Sequence, residues 1–130
     1  MAHTEGSPSR GAAGYPLKMI RENLENIPDW PVPDGYRFGT MRQDDIGLWV
    51  DIERDAEPYF TIGHDMFYST FGSDLQEIGA RCFILYDDRG CGVGTASAWF
   101  NPDVGGSPIG QVHWVAVRER WKGRGLGKGL

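Results

Sequence analysis

Val115-Ala116-Val117-Arg118-Glu119-Arg120-Trp121-Lys122-Gly123-Arg124-Gly125-Leu126-Gly127-Lys128-Gly129-Leu130 reads as a β-branched strand, a basic glycine-rich turn and the first residues of a helix. That order turns backbone N–H groups outward at a helix N-terminus, where the dipole favours an anion. A pyrophosphate fits such a cradle. Gly123, Gly125 and Gly127 remove side chains that would block its approach and permit positive φ. The plainer reading of the same residues is a solvated basic loop or a flexible tail.

Working outward, the 130 residues allow at most one domain, and 40% apolar content with five Trp, five Tyr and six Phe suffices for a core. The formal charge of −5 argues against nucleic acid and anionic membrane surfaces as partners. Yet Arg118, Arg120, Lys122, Arg124 and Lys128, five of the thirteen basic residues, crowd into the last tenth of the chain. An acidic protein that gathers its cations on a glycine-rich turn directs them at phosphate. Cys82 and Cys91 make no disulfide framework, which suits a reducing cytoplasm. No stretch approaches the roughly 18 apolar residues of a membrane span, and residues 1–16 lack the apolar centre of a signal peptide. The three His and two Cys fall at no metal-ligand spacing.

Residues 1–33 read as a disordered tail and an N-terminal arm, and residues 34–130 as the folded domain. Leu17, Ile20, Leu24 and Ile27 recur at helical spacing, so this stretch is either a short amphipathic helix stopped by Pro28 or an extended arm set by Pro28, Pro31 and Pro33. Pro33-Asp34-Gly35 turns into a first strand, Tyr36–Arg42. Asp44 and Asp45 open a helix carrying Ile46, Trp49, Val50 and Glu53 on one face. A second helix spans about Asp65–Phe71, and Ser73-Asp74-Leu75-Gln76 resembles a capping box for a further helical turn. Cys82–Tyr86 is a near-continuous apolar strand. Asp87-Asp88-Arg89-Gly90 is a turn, Cys91–Phe100 a second strand rich in small residues, Asn101–Gly110 a loop, and Gln111–Val117 a third strand. Strand, helices, three antiparallel strands and a helix start make an α/β (α+β) fold.

This order, ending in V-x-V-x-x-x-W-K-G-R-G-L-G-K, resembles the GCN5-related N-acetyltransferase (GNAT) superfamily. Lys122-Gly123-Arg124-Gly125-Leu126-Gly127 stands where that family carries Gln/Arg-x-x-Gly-x-Gly/Ala. Lys122 replaces the usual first residue and Glu119 a frequent proline; neither change removes a backbone donor. Pro-Asp-Gly-Tyr before the first strand and Val93-Gly94-Thr95 on the third are also similar. A Rossmann fingerprint would instead follow the first strand of a βαβ unit, and a P-loop needs Ser or Thr after its Lys, where this chain has Gly129.

The resemblance implies a mixed, mostly antiparallel sheet with N-terminal helices. It also implies that a fifth strand, a helix and the last strands of the fold lie beyond Leu130, supplied by a longer chain or replaced by a second copy completing the sheet. Acetyl-CoA is the implied co-substrate, held by Val115, Ala116 and Val117 and by Lys122, Gly123, Arg124, Gly125, Leu126, Gly127 and Lys128. By position, the Val115 N–H faces the thioester carbonyl and Val117 the pantetheine amide. The acceptor is an amine, on a small molecule, a protein N-terminus or a lysine.

A lysine-like amine is neutral in only about one molecule in a few thousand at pH 7, so attack needs a base. His113 has a suitable ordinary pKa. Strict strand alternation puts Gln111, His113, Val115 and Val117 on one face, which would set His113 one pleat from the thioester with Gln111 orienting water. His113 reads equally as a core or surface histidine. His3 and His64 read as structural. Glu53, Asp55 and Glu57 either attract a cationic amine or are solvated acids, and Tyr59, Phe60 and Phe67 either wall an acceptor pocket or fill the core. Cys82, on an apolar strand, is a poor covalent acyl carrier because burial raises a thiol's pKa. The competing expectations are a CoA-binding or interaction module without catalysis, an inactive fragment, or a nucleotide-binding piece of another fold.

Overall fold

The computed structural model describes residues 19–59, 61–101 and 109–130. The tail before residue 19, His3, Phe60 and residues 102–108 of the expected loop lie outside the described residues. From residue 19 to the first strand there is no helix: the chain is an arm with turns at 25–26 and 34–35, and Ile20, Leu24 and Ile27 are exposed. Of the two readings of that stretch the arm holds. Pro28, Pro31 and Pro33 deny it helical hydrogen bonds, and Val32 packs against Leu85, Val93 and Leu126.

Strand β1 is Arg37–Thr40, shorter than expected; the Met41 N–H still donates to the Cys82 carbonyl at 3.0 Å, and its side chain enters the core. Gln43–Asp45 form a 3-10 turn, in which the Asp45 carboxylate accepts the Arg42 N–H at 2.9 Å. Helix α1 (Ile46–Ala56) buries Ile46, Trp49, Val50, Ile52 and Glu53. Helix α2 (His64–Phe71) begins after the extended Gly63 and buries Phe67 and Phe71, whose ring centroids are 5.0 Å apart. Helix α3 (Leu75–Arg81) is capped by Asp74, whose carboxylate accepts from the Gln76 and Glu77 N–H groups. The cap is therefore Asp74 and not Ser73: its shorter reach to the second and third amides of the turn wins.

Strands β2 (Cys82–Tyr86), β3 (Gly92–Asn101) and β4 (Ile109–Val117) complete an antiparallel sheet of order β1-β2-β3-β4. The β2–β3 turn is built by Asp87, whose Oδ1 accepts the Arg89 and Cys91 N–H groups at 2.9 Å each. A 3-10 turn, Glu119–Trp121, then leads to helix α4, Leu126–Gly129. The expected mixed α+β architecture is the observed one.

Two apolar clusters lie on opposite faces of the sheet. The larger joins α1, α2 and α3 to β2 and β4 through Trp49, Phe67, Phe71, Ile78, Cys82, Ile84 and Ala116. The smaller gathers Leu85, Val93 and Leu126, with Val32, Tyr36, Val117, Trp121 and Leu130 against them. It is this second cluster that seats the glycine-rich turn. The small residues of β3 let α1 sit close: a Cβ on Gly92 would lie 2.7 Å from Leu48 Cδ2. Among the described residues no helix is long and apolar enough to cross a membrane.

Candidate functional site

The turn after β4 is set by three local features. The Arg118 N–H donates to the Val93 carbonyl at 2.8 Å, so pairing with β3 runs one residue past β4. The Glu119 N–H donates to Asp55 Oδ2 at 3.0 Å, tying the turn to α1. Asp55, weighed above as a magnet for amines, is thus a structural acceptor. Gly123 and Gly125 then take φ of +80° and +78°, values that side chains with a Cβ adopt at a cost. Gly125 is the N-cap of α4, and Leu126 behind it is fully buried. The opening amides of a helix have no partner inside it. Alternating left-handed residues add a concave run of N–H groups of the kind that binds anions.

Beside this turn lies a groove of about 300 Å³, lined by Val115, Ala116, Val117, Trp121, Lys122, Gly123, Gly125, Leu126 and Gly127. Eight of the ten residues expected to hold the cofactor are in that lining. Arg124 and Lys128 are not: the Arg124 guanidinium lies 6.0 Å from the Trp121 ring centroid, and Lys128 Nζ lies 5.0 Å over the Trp30 ring. Trp121 is the lining residue that motif reasoning passed over. Its signal was its place in the V-x-V-x-x-x-W spacing. Lys122 pairs with Glu119 at 2.8 Å on the surface, an exposed contact of small worth.

The strict alternation expected along β4 does not occur. Thr95 pairs with Ala116, but Ser97 pairs with His113, so β4 carries one extra residue at Trp114–Val115. Trp114 takes φ of +50°, an outlier for a bulky residue, and its buried indole Nε1–H has no hydrogen-bond partner among the described residues. Such a bulge changes which face the next side chain takes. His113 therefore lies on the helix face, with its ring 6.1 Å from that of Phe71 and 5.8 Å from that of Trp114. Val115 is exposed at the groove, and Val117 belongs to the opposite cluster. Gln111 pairs with Trp99, on the same face as His113. Alternation requires an unbroken ladder, and the ladder is broken between His113 and Val115.

Two hydroxyls hold the bulge. Thr95 Oγ1 lies 3.0 Å from the Trp114 carbonyl, and Ser97 Oγ donates to the His113 carbonyl. Thr95 Oγ1 also lies 2.7 Å from Glu53 Oε1. Glu53 is 1% exposed, so it is not a solvated acid. Burial, reinforced by the nearby Glu57 charge and opposed by the Thr95 hydrogen bond, pushes its carboxyl up to about 8. Phe67 is core, edge-on to Trp49 at 5.1 Å, while Tyr59 is exposed. Cys82 is buried and its thiol is pushed up to about 12 by desolvation, which makes it inert as an acyl carrier at neutral pH.

The sequence model of the acetyltransferase (GNAT) family matches residues 28–130. No curated protein sequence matches the chain. Among solved structures, the chain is similar to a putative acetyltransferase from Pyrococcus horikoshii, with 20% identity and a TM-score of 0.56, covering 85% of this chain and 34% of that one. It is similar to the GCN5-related glucosamine N-acetyltransferase region of a fungal multi-domain GH3 β-N-acetylglucosaminidase, with 17% identity and a TM-score of 0.58, covering 82% and 12% of the two chains. A GCN5-related N-acetyltransferase from Sphaerobacter thermophilus gives 21% identity and a TM-score of 0.56, with 76% and 32% covered. The chain thus spans about a third or less of the length of these structures, and the likeness is one of fold. With the family match running from the arm through the glycine-rich turn, this chain belongs to the GNAT acetyltransferase family.

Proposed function

We propose that the chain carries the acetyl-CoA-binding part of an N-acyltransferase that moves an acetyl group to a primary amine by direct attack. The observation that carries this reading is the groove, which joins the bulged end of β4 to the glycine-rich turn. Amides from Lys122 to Gly127 hold the diphosphate, each charge-assisted bond contributing about 1.5–3 kcal/mol. Val115 and Val117 offer main-chain groups to the pantetheine arm. Bound acetyl-CoA supplies an activated thioester.

The acceptor amine reaches the bulge from the helix face, where His113 and Gln111 stand. His113 takes the amine proton, directly or through a water that Gln111 orients, a step typically worth about 10²–10⁴-fold. Its place on the other side of the bulge from Val115 keeps the base apart from the amide that polarises the carbonyl. Calorimetry with acetyl-CoA, joined to a thiol-release assay over a panel of amines, tests the reading. Binding with amine-dependent thiol release supports it. Binding without turnover favours a CoA-binding module, and absence of binding overturns both.

A further inference from the structure

Glu53 and Thr95 meet across 42 positions of sequence, and the meeting is not explained by packing alone. A threonine hydroxyl has one proton to give. Thr95 Oγ1 has two oxygen neighbours, Glu53 Oε1 at 2.7 Å and the Trp114 carbonyl at 3.0 Å. If both were acceptors, one contact would be two oxygens facing each other with no proton between them. A protonated Glu53 removes the conflict: the carboxyl O–H donates to Thr95, and Thr95 donates to Trp114. The burial of Glu53 and the like charge of Glu57 both favour that state. The sheet face beneath α1 bears His113 on β4 and Cys82 and Tyr86 on β2, while His64 and Asp65 open α2 and Asp44 and Asp45 precede α1.

The last link acts on a peptide plane. In a trans peptide the carbonyl of one residue and the N–H of the next point in opposite directions. Drawing the Trp114 carbonyl toward β3 points the Val115 N–H away from β3. β4 is the last strand of the sheet, and Val115 lines the groove on that side. Trp114, at φ of +50°, would not hold this orientation unaided.

We propose that Glu53 and Thr95 are positioning residues: the Glu53 carboxyl donates to Thr95, Thr95 donates to the Trp114 carbonyl, and this chain of bonds aims the Val115 N–H at the acyl carbonyl of a bound thioester. It rests on the acyltransferase reading above. The pair touches no ligand; it acts through the bulge. Its role is therefore to distinguish acetyl-CoA from CoA, while the glycine-rich turn holds the part they share.

The test is the ratio of the two affinities, measured by calorimetry on the whole chain. Wild type prefers acetyl-CoA over CoA by about 3- to 10-fold, the worth of one aimed hydrogen bond. Thr95→Val abolishes the preference and leaves CoA affinity unchanged. Thr95→Ser restores it. Glu53→Gln, a neutral donor of similar shape, keeps it, whereas Glu53→Leu loses it. A ratio unchanged in Thr95→Val overturns the proposal, as does a Glu53→Gln variant that behaves like Glu53→Leu. Wild type binding neither ligand refutes the acyltransferase reading itself. Should the apolar variants not fold, the infrared difference between wild type and Glu53→Gln decides: a protonated-carboxyl band at neutral pH supports the relay, and a carboxylate band in its place overturns it.

Discussion

Gly129 of α4 packs on Val32 of the N-terminal arm so tightly that a Cβ on the glycine would lie 2.6 Å from Val32 Cγ1 and 3.1 Å from the Trp30 carbonyl. The arm therefore buttresses the helix that closes the groove, and Lys128 over the Trp30 ring adds a second contact to the same junction. Gly129→Ala forces overpacking there and lowers stability by about 1–3 kcal/mol. Urea denaturation of Gly129→Ala, Val32→Ala and the double variant checks it. The double variant loses less than the sum of the single losses; strictly additive losses would contradict the contact.

Gly125 and Gly127 separate two roles of glycine in the turn. Among the described residues no atom beyond the adjoining chain lies within 4 Å of a Cβ at either position, so space does not distinguish them. Conformation does: Gly125 sits at φ of +78°, and Gly127 is not at positive φ. Gly125→Ala costs about 1–2 kcal/mol of stability from the left-handed backbone alone. Gly127→Ala, in a helical turn, is neutral or stabilising by up to about 1 kcal/mol. Equal losses in chemical denaturation would refute this division.

Glu53 makes stability depend on pH in a stated direction. Its folded carboxyl is raised to about 8 from 4.5. Between those values the folded chain keeps a proton that the unfolded chain has released. The contribution is whole below the unfolded value and is lost as pH rises toward the folded one. The limiting slope is about −1.4 kcal/mol per pH unit. Glu53→Gln removes it, so the variant gains on wild type as pH rises from 4.5 to about 8, and the two run parallel above that. Unfolding free energies of both proteins across that range are the check, and parallel curves within it would contradict the burial of a protonated acid.

The two cysteines differ in reach. Cys82 is buried, with its thiol pushed up to about 12, and Cys91 is exposed at the β2–β3 turn. An aromatic disulfide reagent titrates Cys91 alone in the native chain and both thiols in denaturant. Cys91→Ser abolishes the fast native reaction; Cys82→Ser leaves it. Fast reaction of both native thiols would mean that the core face of β2 opens.

Much of this was legible in the sequence because it is local. The apolar run Cys82–Tyr86, the Asp-Asp-Arg-Gly turn and the spacing of Ile46, Trp49 and Val50 each declare their element within a few residues. The glycine-rich turn is legible for the same reason, and it placed most of the groove lining. What escaped depends on partners far along the chain. The bulge at Trp114 arises from register with β3 and from two hydroxyls on that strand, so no periodicity in β4 announces it. The burial of Glu53 follows the apolar spacing of α1, but its partner Thr95 is set by how the helix lies on the sheet. The arm went unread as support for α4 because its contact is with the other end of the described chain.

The central claim is that main-chain amides between Lys122 and Gly127 bind the diphosphate of coenzyme A. It is tested most directly by titrating the ¹⁵N-labelled chain with CoA and following each backbone amide. The account predicts saturable shifts concentrated at Lys122 to Gly127 and at Val115 to Val117, suppressed in Gly125→Val. Shifts scattered elsewhere, or none at millimolar ligand, would contradict it.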